Sequence, residues 1–472
     1  MKTLIKGGTV ITASETVMAD VLIDGESIQG VGIGFLEDSS VQVVDAKGKL
    51  VMPGGVDVHT HFDLPMSDTV SSDDHYTGHK AAAFGGTTTV MDFVSFDEST
   101  LEESVNAWHR KAEEKAAIDY SFHMNITRFD ERVADEIPRL KDWGINSLKV
   151  FTAYTDRLRL NDRSIFEVMR IAKNHNMLVM VHAENGDVID ALVDEALRTG
   201  HTSPEWHALT RPAESEIEAV YRIIKLAQIA DAPIYIVHMN TKGGVEHVRE
   251  ARHQGLKVMG ETCPQYLFFT IDDLRRIDGS KWVCSPPMRS KMDIAGVWRA
   301  VEDGTLQVVA TDHCSFFYDG TKPIEYEGKK ITIAGKELGK GNFTKIPNGL
   351  PGVGDRMVVM WTKGVDGGRI SANRFVEINC TNPAKIFGIY PRKGTIIPGS
   401  DADLVIWNPD KEIEYGIRYS HQRTDYNLYE GWRLKGVVEK VFLRGKKIVD
   451  GEDWLGEKGA GRYIHRGEIK VL

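Results

Sequence analysis

The sequence contains few cysteines and no long apolar run. Among its 472 residues there is no CxxC pair, which argues against a disulfide framework and a cysteine metal site. Lysine and glycine interrupt the first residues before an apolar signal segment could form, and no run of about 18 apolar residues occurs. We therefore expect a cytoplasmic protein without membrane partners and with four free, buried thiols, at Cys263, Cys284, Cys314 and Cys380.

The chain also lacks a surplus of basic residues. It has 58 lysines and arginines against 68 aspartates and glutamates, and this formal net charge of -10 argues against a general nucleic-acid surface. The 42% hydrophobic and 27% charged fractions lie near globular averages, which argues against disordered and fibrous classes. We expect a compact protein with no nucleic-acid partner.

Two β-rich ends flank a long middle section. Residues 1–52 consist of short β-type segments separated by turns. Similar segments return near the other end, at 394–399, 403–407 and 437–445. We expect one small β-sandwich made from residues 1–52 and 389–455, followed by a tail of residues 456–472.

The middle section, residues 53–388, alternates apolar β-type runs with charged segments of helical periodicity, such as 99–115, 164–175, 214–230 and 244–254. This alternation is typical of βα units around a parallel sheet. Eight runs predict an α/β fold with a (β/α)8 TIM-like barrel, and the candidate strands are Val56–His61, Thr87–Val94, Asp119–Met124, Ser147–Thr152, Leu178–His182, Ile234–His238, Lys257–Thr262 and Gln307–Asp312. The polar, glycine-punctuated segment 318–341 predicts a hairpin over the barrel mouth.

Polar residues stand at the carboxyl ends of several candidate strands, where barrel enzymes carry their catalytic groups. His59 and His61 fall on one side of their strand, about 7 Å apart. His182, His238 and Asp312 end three further apolar runs. A single strand-end histidine is commonly a satisfied polar group, but four histidines and an aspartate at equivalent positions favour a metal site. Because five such groups exceed the needs of one tetrahedral site, we predict two divalent ions.

Lys149 is the unusual member of this set. A lysine beside two dications is repelled or loses its proton. The neutral amine can react with CO2 to form a carbamate whose two oxygens could bridge the metals. The alternative is a lysine that extends from a strand edge to solvent. We expect His123 to be a packing or supporting residue, and we expect surface positions for His75, His79, His109, His247 and His253.

The order of these motifs resembles the dihydropyrimidinase and D-hydantoinase family of cyclic amidohydrolases, in the amidohydrolase superfamily. The resemblance covers nearly the whole chain. Its motifs are MPGGVDVHTH at 52–61, SLK at 147–149, VHAEN at 181–185, VH at 237–238, ETCPQY at 261–266, CSPP at 284–287, TDHC at 311–314 and KIPNG at 345–349.

The resemblance implies a barrel with a β-sandwich from both chain ends, and a homotetramer. It implies one metal held by His59, His61, Lys149 as N6-carboxylysine, and Asp312. It implies a second metal held by Lys149, His182 and His238. Zinc best suits these ligands, and manganese also fits. Three positions match residues that hold the substrate's cyclic amide, namely Tyr154, Ser285 and Asn348.

The activity that the resemblance implies is the opening of 5,6-dihydropyrimidine or 5-substituted hydantoin rings to N-carbamoyl amino acids. A hydroxide that bridges the metals would attack the ring carbonyl, and Tyr154 would stabilise the oxyanion. Asp312 would carry the proton to the leaving nitrogen. The pocket for the exocyclic substituent would be apolar, with Met66, Phe151 and Leu158.

Two alternatives remain. A dihydroorotase is expected to carry an arginine two residues after the HxH pair, where this chain has Asp63; this argues against dihydroorotase and allantoinase. Adaptor proteins of the collapsin response mediator type share the fold but have lost metal ligands. All six ligand positions are present here, which favours an enzyme.

Overall fold

The computed structural model describes residues 2–66, 68–155 and 157–472, and a parallel eight-stranded sheet forms its centre. We number these barrel strands 1 to 8 in chain order: Gly55–Thr60, Thr87–Val94, Asp119–Asn125, Ser147–Phe151, Leu178–His182, Ile234–Ile236, Val258–Thr262 and Val308–Val309. Each strand pairs with the next along the chain, and a bridge between Thr60 and His313 brings the two edges together. The predicted (β/α)8 barrel is confirmed.

Helices form the layer outside the barrel because their sequences place apolar residues on one face. In the helix Asp162–Asn174, the buried residues Ile165, Val168, Met169 and Ala172 follow helical spacing, and Asn161 caps the first turn. The other α-helices are His75–Phe84, Leu101–Ala112, Glu131–Glu136, Gly186–Arg198, Glu205–Leu209, Ala213–Ala230, Lys242–His253, Gln265–Phe268, Ile271–Leu274, Lys291–Glu302, Arg356–Met360, Ala372–Val376, Asn382–Ile386 and Ile417–Ser420.

Short 3-10 and π segments complete the helical elements. The 3-10 segments are Ile137–Trp143, Gly279–Trp282, Lys336–Gly339 and Phe343–Lys345, and the π segments are Trp361–Asp366 and Glu377–Thr381. Within the described ranges, no helix combines the length and apolarity needed to cross a membrane.

Successive side chains of a barrel strand point to opposite faces of the sheet, and this alternation separates two hydrophobic cores. On strand 5, Leu178 and Met180 pack inside the barrel, whereas Val179 and Val181 pack outward against the helices. The same alternation sends the side chain of His182 inward at the end of the strand.

The two chain ends share one sheet of nine strands: Lys2–Ile11, Thr16–Asp24, Ser27–Gly32, Val41–Asp45, Leu50–Pro53, Leu404–Glu414, Arg433–Leu443, Lys446–Asp450 and Asp453–Trp454. The ends meet where Leu404–Glu414 pairs antiparallel with Leu50–Pro53. The expected β-segment at 394–399 is wrong. Gly394 and Gly399 have φ angles of 77° and 91°, and these left-handed residues form turns instead of a strand.

The segment 318–341 contains the predicted hairpin, in which Ile324–Tyr326 pairs antiparallel with Lys329–Ile331. Glu327 at its turn forms an ion pair with Lys80 on the helix His75–Phe84. A second small hairpin pairs Pro65–Met66 with Thr69–Val70, and Thr69 donates a hydrogen bond to the carbonyl of Ala334. The segment therefore packs beside the barrel opening and against its first helix.

The surface positions expected for His75 and His79 are wrong, since both side chains are fully buried. They lie on the face of their helix that packs on Phe62, with ring centroids 5.6 and 5.4 Å away. The Nδ1 atom of His79 accepts a hydrogen bond from the amide of Ala117. His109 and His247 are half-buried and His253 is exposed.

All four cysteines are free and buried, as expected.

A buried ionic cluster joins the barrel to the sheet of chain ends. The Nζ atom of Lys393 lies 2.6 Å from Asp119, at the start of strand 3, and 2.7 Å from Asp403, beside the sheet. Arg444, at the end of a sheet strand, also pairs with Asp119. Burial alone would lower the pKa of Lys393, but these carboxylates raise it above its ordinary value. The cluster holds the two parts of the fold together only while both signs of charge are present.

We predict that Lys393→Met destabilises the protein by roughly 3–5 kcal/mol, because it leaves the buried Asp403 without its counter-charge and leaves Asp119 with Arg444 alone. Urea denaturation followed by tryptophan fluorescence would measure the change. Lys173→Met is the matched control, since it breaks an exposed ion pair with Asp231 and should cost at most about 1 kcal/mol. Equal losses from both variants would contradict the role of the cluster.

Candidate functional site

One cavity of about 390 Å³ opens at the carboxyl ends of the barrel strands. All nine site residues predicted from the sequence line it: His59, His61, Lys149, Tyr154, His182, His238, Ser285, Asp312 and Asn348. The three apolar pocket residues, Met66, Phe151 and Leu158, line it as well. Strand ends separated by up to about 250 residues in sequence therefore meet at one place.

His59, His61 and Asp312 form a compact cluster at the junction of strands 1 and 8. The Oδ1 atom of Asp312 lies 3.1 Å from the Nε2 atoms of both histidines. The three possible ligand atoms all lie within 4.8 Å of one another, a spacing that suits one metal ion.

His182 and His238 face each other across the other side of the cavity. The Nδ1 atom of His182 lies 2.9 Å from the Nε2 atom of His238. The Nε2 atom of His182 lies 2.8 Å from a carboxylate oxygen of Glu184, which fixes the Nε2–H tautomer and turns the Nδ1 lone pair to the cavity. The Nδ1 atom of His238 is buried without a hydrogen-bond partner among the described residues. Two imidazoles in this arrangement have nitrogen lone pairs available for a cation.

Lys149 reaches the cavity from strand 4 between two aromatic rings. Its Nζ atom lies 4.7 Å from the ring centroid of Phe93 and 5.2 Å from that of Phe151, and the residue is 2% exposed. Burial lowers the pKa of Lys149 to about 8, although Asp312 and Glu261 act in the opposite direction. Only the neutral amine reacts with CO2, and this form is therefore far more abundant near neutral pH than it would be at the ordinary lysine pKa.

The charges of the cluster favour a cation. Burial would lower the pKa of His59, but Asp312 and Glu261 raise it to about 9, so His59 holds a proton between two carboxylates. Burial lowers the pKa of His61 to about 4 and keeps its imidazole neutral. Burial would raise the pKa of Asp312, but His59 and His61 hold it well below its usual range. The donor set fits a divalent ion, which would take the place of the His59 proton.

Three site residues have left-handed backbone conformations that non-glycine residues rarely adopt. The φ angles are 66° at Tyr154, 39° at His238 and 52° at Asp312. The effect is clear at His238: Val237 packs inside the barrel, so plain alternation would turn His238 outward, but the positive φ directs it to the cavity. Strain of this kind persists where the surrounding structure enforces it, typically at functional sites.

Comparisons with known proteins identify the family of the chain. The amidohydrolase family profile matches residues 50–448. The chain belongs to the amidohydrolase family, in its dihydropyrimidinase and D-hydantoinase branch. It is 43% identical to a D-hydantoinase of Geobacillus stearothermophilus over 100% of this chain and 98% of that protein. It is 38% identical to a D-phenylhydantoinase of Escherichia coli O7:K1, over 99% of this chain and 98% of that protein.

A solved dihydropyrimidinase from Brevibacillus agri NCHU1002 has the same fold, with a TM-score of 0.94, 44% identity and coverage of 100% of both chains. The family resemblance inferred from the motifs is therefore confirmed for this amidohydrolase.

The polar residues opposite the histidines are close to one another. Asn348 donates from Nδ2 to the Oγ atom of Ser285 over 3.3 Å, and this hydroxyl lies 3.2 Å from the Nε2 atom of His207. The Tyr154 ring is centred 5.0 Å from that of His182. Burial raises the pKa of Tyr154, so its hydroxyl stays a hydrogen-bond donor. Together these groups offer both donors and acceptors to a bound molecule.

Sequence reasoning gave no role to Glu261 or Glu184. Glu261 is fully buried on strand 7; its carboxylate contacts the Nδ1 atom of His59 and accepts a hydrogen bond from the hydroxyl of Tyr235 over 2.8 Å. Glu184 holds His182, as described above. The sequence positions of both residues could have indicated a role at the site, because Glu261 lies near a strand end and Glu184 follows His182 by two residues. His123 donates from Nε2 to the carbonyl of Val58 over 3.0 Å, and its Nδ1 atom accepts from the hydroxyl of Ser147, in agreement with the expected supporting role.

We predict that Glu261→Gln weakens divalent metal binding by about 10–100-fold, because the neutral amide no longer holds His59 in its oriented, electron-rich form. Zinc titration with a competing chelator would measure the affinity. Glu250→Gln, an exposed change on the outer helix Lys242–His253, is the control and should bind zinc as the unmodified chain does. Equal affinities in all three proteins would contradict the role of Glu261.

Proposed function

We propose that the protein is a cyclic amide hydrolase that opens 5,6-dihydropyrimidine or 5-substituted hydantoin rings to N-carbamoyl amino acids. The observation that carries the proposal is the single cavity that combines six candidate metal ligands with three polar residues able to bind an amide. The D-hydantoinase and dihydropyrimidinase relatives, which align over the whole chain, support it.

The proposed cofactor is a pair of divalent ions, with zinc as the metal that best suits imidazole and carboxylate donors. His59, His61 and Asp312 would hold one ion, His182 and His238 would hold the other, and carboxylated Lys149 would bridge them. The burial of Lys149 and its pKa near 8 support carboxylation. When bound, the ions would supply a water molecule of lowered pKa as nucleophile and would polarise the ring carbonyl.

The chain's own groups would position the substrate and move its proton. Asp312 contacts both histidines through Oδ1, which leaves Oδ2 to accept a proton and deliver it to the leaving ring nitrogen. The neutral hydroxyl of Tyr154 would donate to the oxyanion that forms at the attacked carbonyl. Ser285 and Asn348 would bind the ring amide.

The pocket beside these groups indicates the substituent that the site accepts. Leu64, Met66, Phe151 and Leu158 line it, which suits an apolar group at the exocyclic carbon. Asp63 is itself an acidic side chain, paired with Lys115 over 2.9 Å, so this position offers no cation to a substrate carboxylate.

Two further proposals concern assembly and domain bounds. The family resemblance supports a homotetramer. The pattern of β-type and helical segments supports residues 53–388 as the catalytic domain and residues 1–52 and 389–455 as the two parts of the sandwich.

A side-by-side hydrolysis assay tests the substrate class. We predict turnover of dihydrouracil and 5-substituted hydantoins, and little or none of dihydroorotate and allantoin. Dihydroorotate is an informative comparison substrate because Arg128 and Arg157 also line the cavity and could attract its carboxylate. Faster hydrolysis of dihydroorotate or allantoin than of both predicted classes would refute the assignment.

Lys149→Ala tests the bridge. We predict a loss of activity on the order of 100-fold or more, because the variant lacks the anion that holds both ions. A short carboxylic acid should restore part of the rate by taking the place of the carbamate. Lys141→Ala, at an exposed lysine, should retain the full rate. An unchanged rate of Lys149→Ala without added acid would refute the bridge.

A further inference from the structure

The segment 318–341 returns to the barrel through a buried lysine. Lys336 is 1% exposed and begins the 3-10 segment Lys336–Gly339. Its amide donates to the carbonyl of Phe317 over 2.7 Å, and the neighbouring Glu337 accepts hydrogen bonds from the amides of Gly320 and Gly335. The base of the segment is therefore closed, and the Lys336 side chain points into the protein from a fixed backbone.

The Lys336 amine connects two separate loops. Its Nζ atom donates to the carbonyl of Val283 over 2.9 Å and to that of Pro347 over 3.0 Å. Val283 lies two residues before Ser285, and Pro347 directly precedes Asn348. The carbonyl of Val283 also accepts a hydrogen bond from the amide of Gly349.

The two carbonyls suit the side chain of Lys336, which has no carboxylate partner among the residues that the structure describes. Burial lowers the pKa of Lys336 to about 7. The neutral amine has two N–H groups, one for each carbonyl, so both oxygens remain satisfied without the full cost of a buried charge. Removal of the amine would leave the Pro347 carbonyl without this donor and only the Gly349 amide on the Val283 carbonyl, so the connection between the two loops would be weaker.

We propose that Lys336 is a positioning residue that fixes Ser285 and Asn348 relative to each other, and that the segment 318–341 supports the amide-binding side of the site through it. Neither the hairpin nor Lys336 is among the described residues that line the cavity. The contribution is therefore indirect, through the two loops. This inference rests on the proposed function, because Ser285 and Asn348 are taken to bind the ring amide.

The test is Lys336→Met, which keeps the length and apolar stem but removes the donors. We expect KM for dihydrouracil to rise about tenfold, because a hydrogen bond to the ring amide is weakened in ground and transition state alike, while kcat and zinc content change little. Hydrogen exchange should become faster in residues 283–287 and 346–350 together. Lys340→Met, at an exposed lysine of the same segment, is the matched control and should leave KM and exchange unchanged.

A wild-type KM in folded Lys336→Met would overturn the proposal, as would faster exchange confined to the segment 318–341. A fall in kcat with loss of zinc would also overturn it, since that result places the effect at the metal site. If Lys336→Met does not fold, Lys336→Gln decides: its shorter amide cannot reach both carbonyls, so KM must still rise several-fold. Failure of the proposed function itself would appear differently, as an unmodified protein that hydrolyses no cyclic amide.

Discussion

The site depends on the seam where strand 8 meets strand 1. His61 donates its amide to the carbonyl of His313 over 2.8 Å, and the Thr311 hydroxyl donates to Asp57 over 2.6 Å. The fully buried Arg356 donates from Nη1 to the carbonyls of both Val56 and Val309. Because strand 8 is only Val308–Val309, these contacts replace much of the missing ladder. Asp312 can meet the two histidines of strand 1 only if this seam is closed.

The barrel and the inward positions of some ligands could be predicted because they follow local rules. Apolar runs alternating with helical segments reveal βα units, and period two places Lys149 and His182 on the inner face. The same rule fails at His59, because Val58 already packs inside the barrel. A register shift between Asp57 and Thr60 restores the orientation of His59. Such shifts, like the positive φ of His238, arise from tertiary contacts that a single sequence does not display.

The burial of polar residues was the second feature that could not be predicted from the sequence. His75 and His79 were expected outside because polar side chains in helices are usually solvated. Four residues apart, they share the face that contains Ala82 and meets Phe62, so the fold buries both. Glu261 was overlooked for a related reason. The sequence does not show which residue a carboxylate on a strand contacts, and the role of Glu261 follows from its contact with His59. The role of such a supporting carboxylate can be assigned only when the structure shows which residue it contacts.

The proposed carboxylation of Lys149 and the proposed metal ions depend on each other. The amine stands between Phe93 and Phe151, where burial favours the neutral form that reacts with CO2. The product is an anion, and the cavity already holds the carboxylate of Asp312 with Glu261 behind His59. A further negative charge in this buried place would be costly unless cations balance it. The ions would therefore stabilise the carbamate, and the carbamate would complete the ligand set that retains the ions.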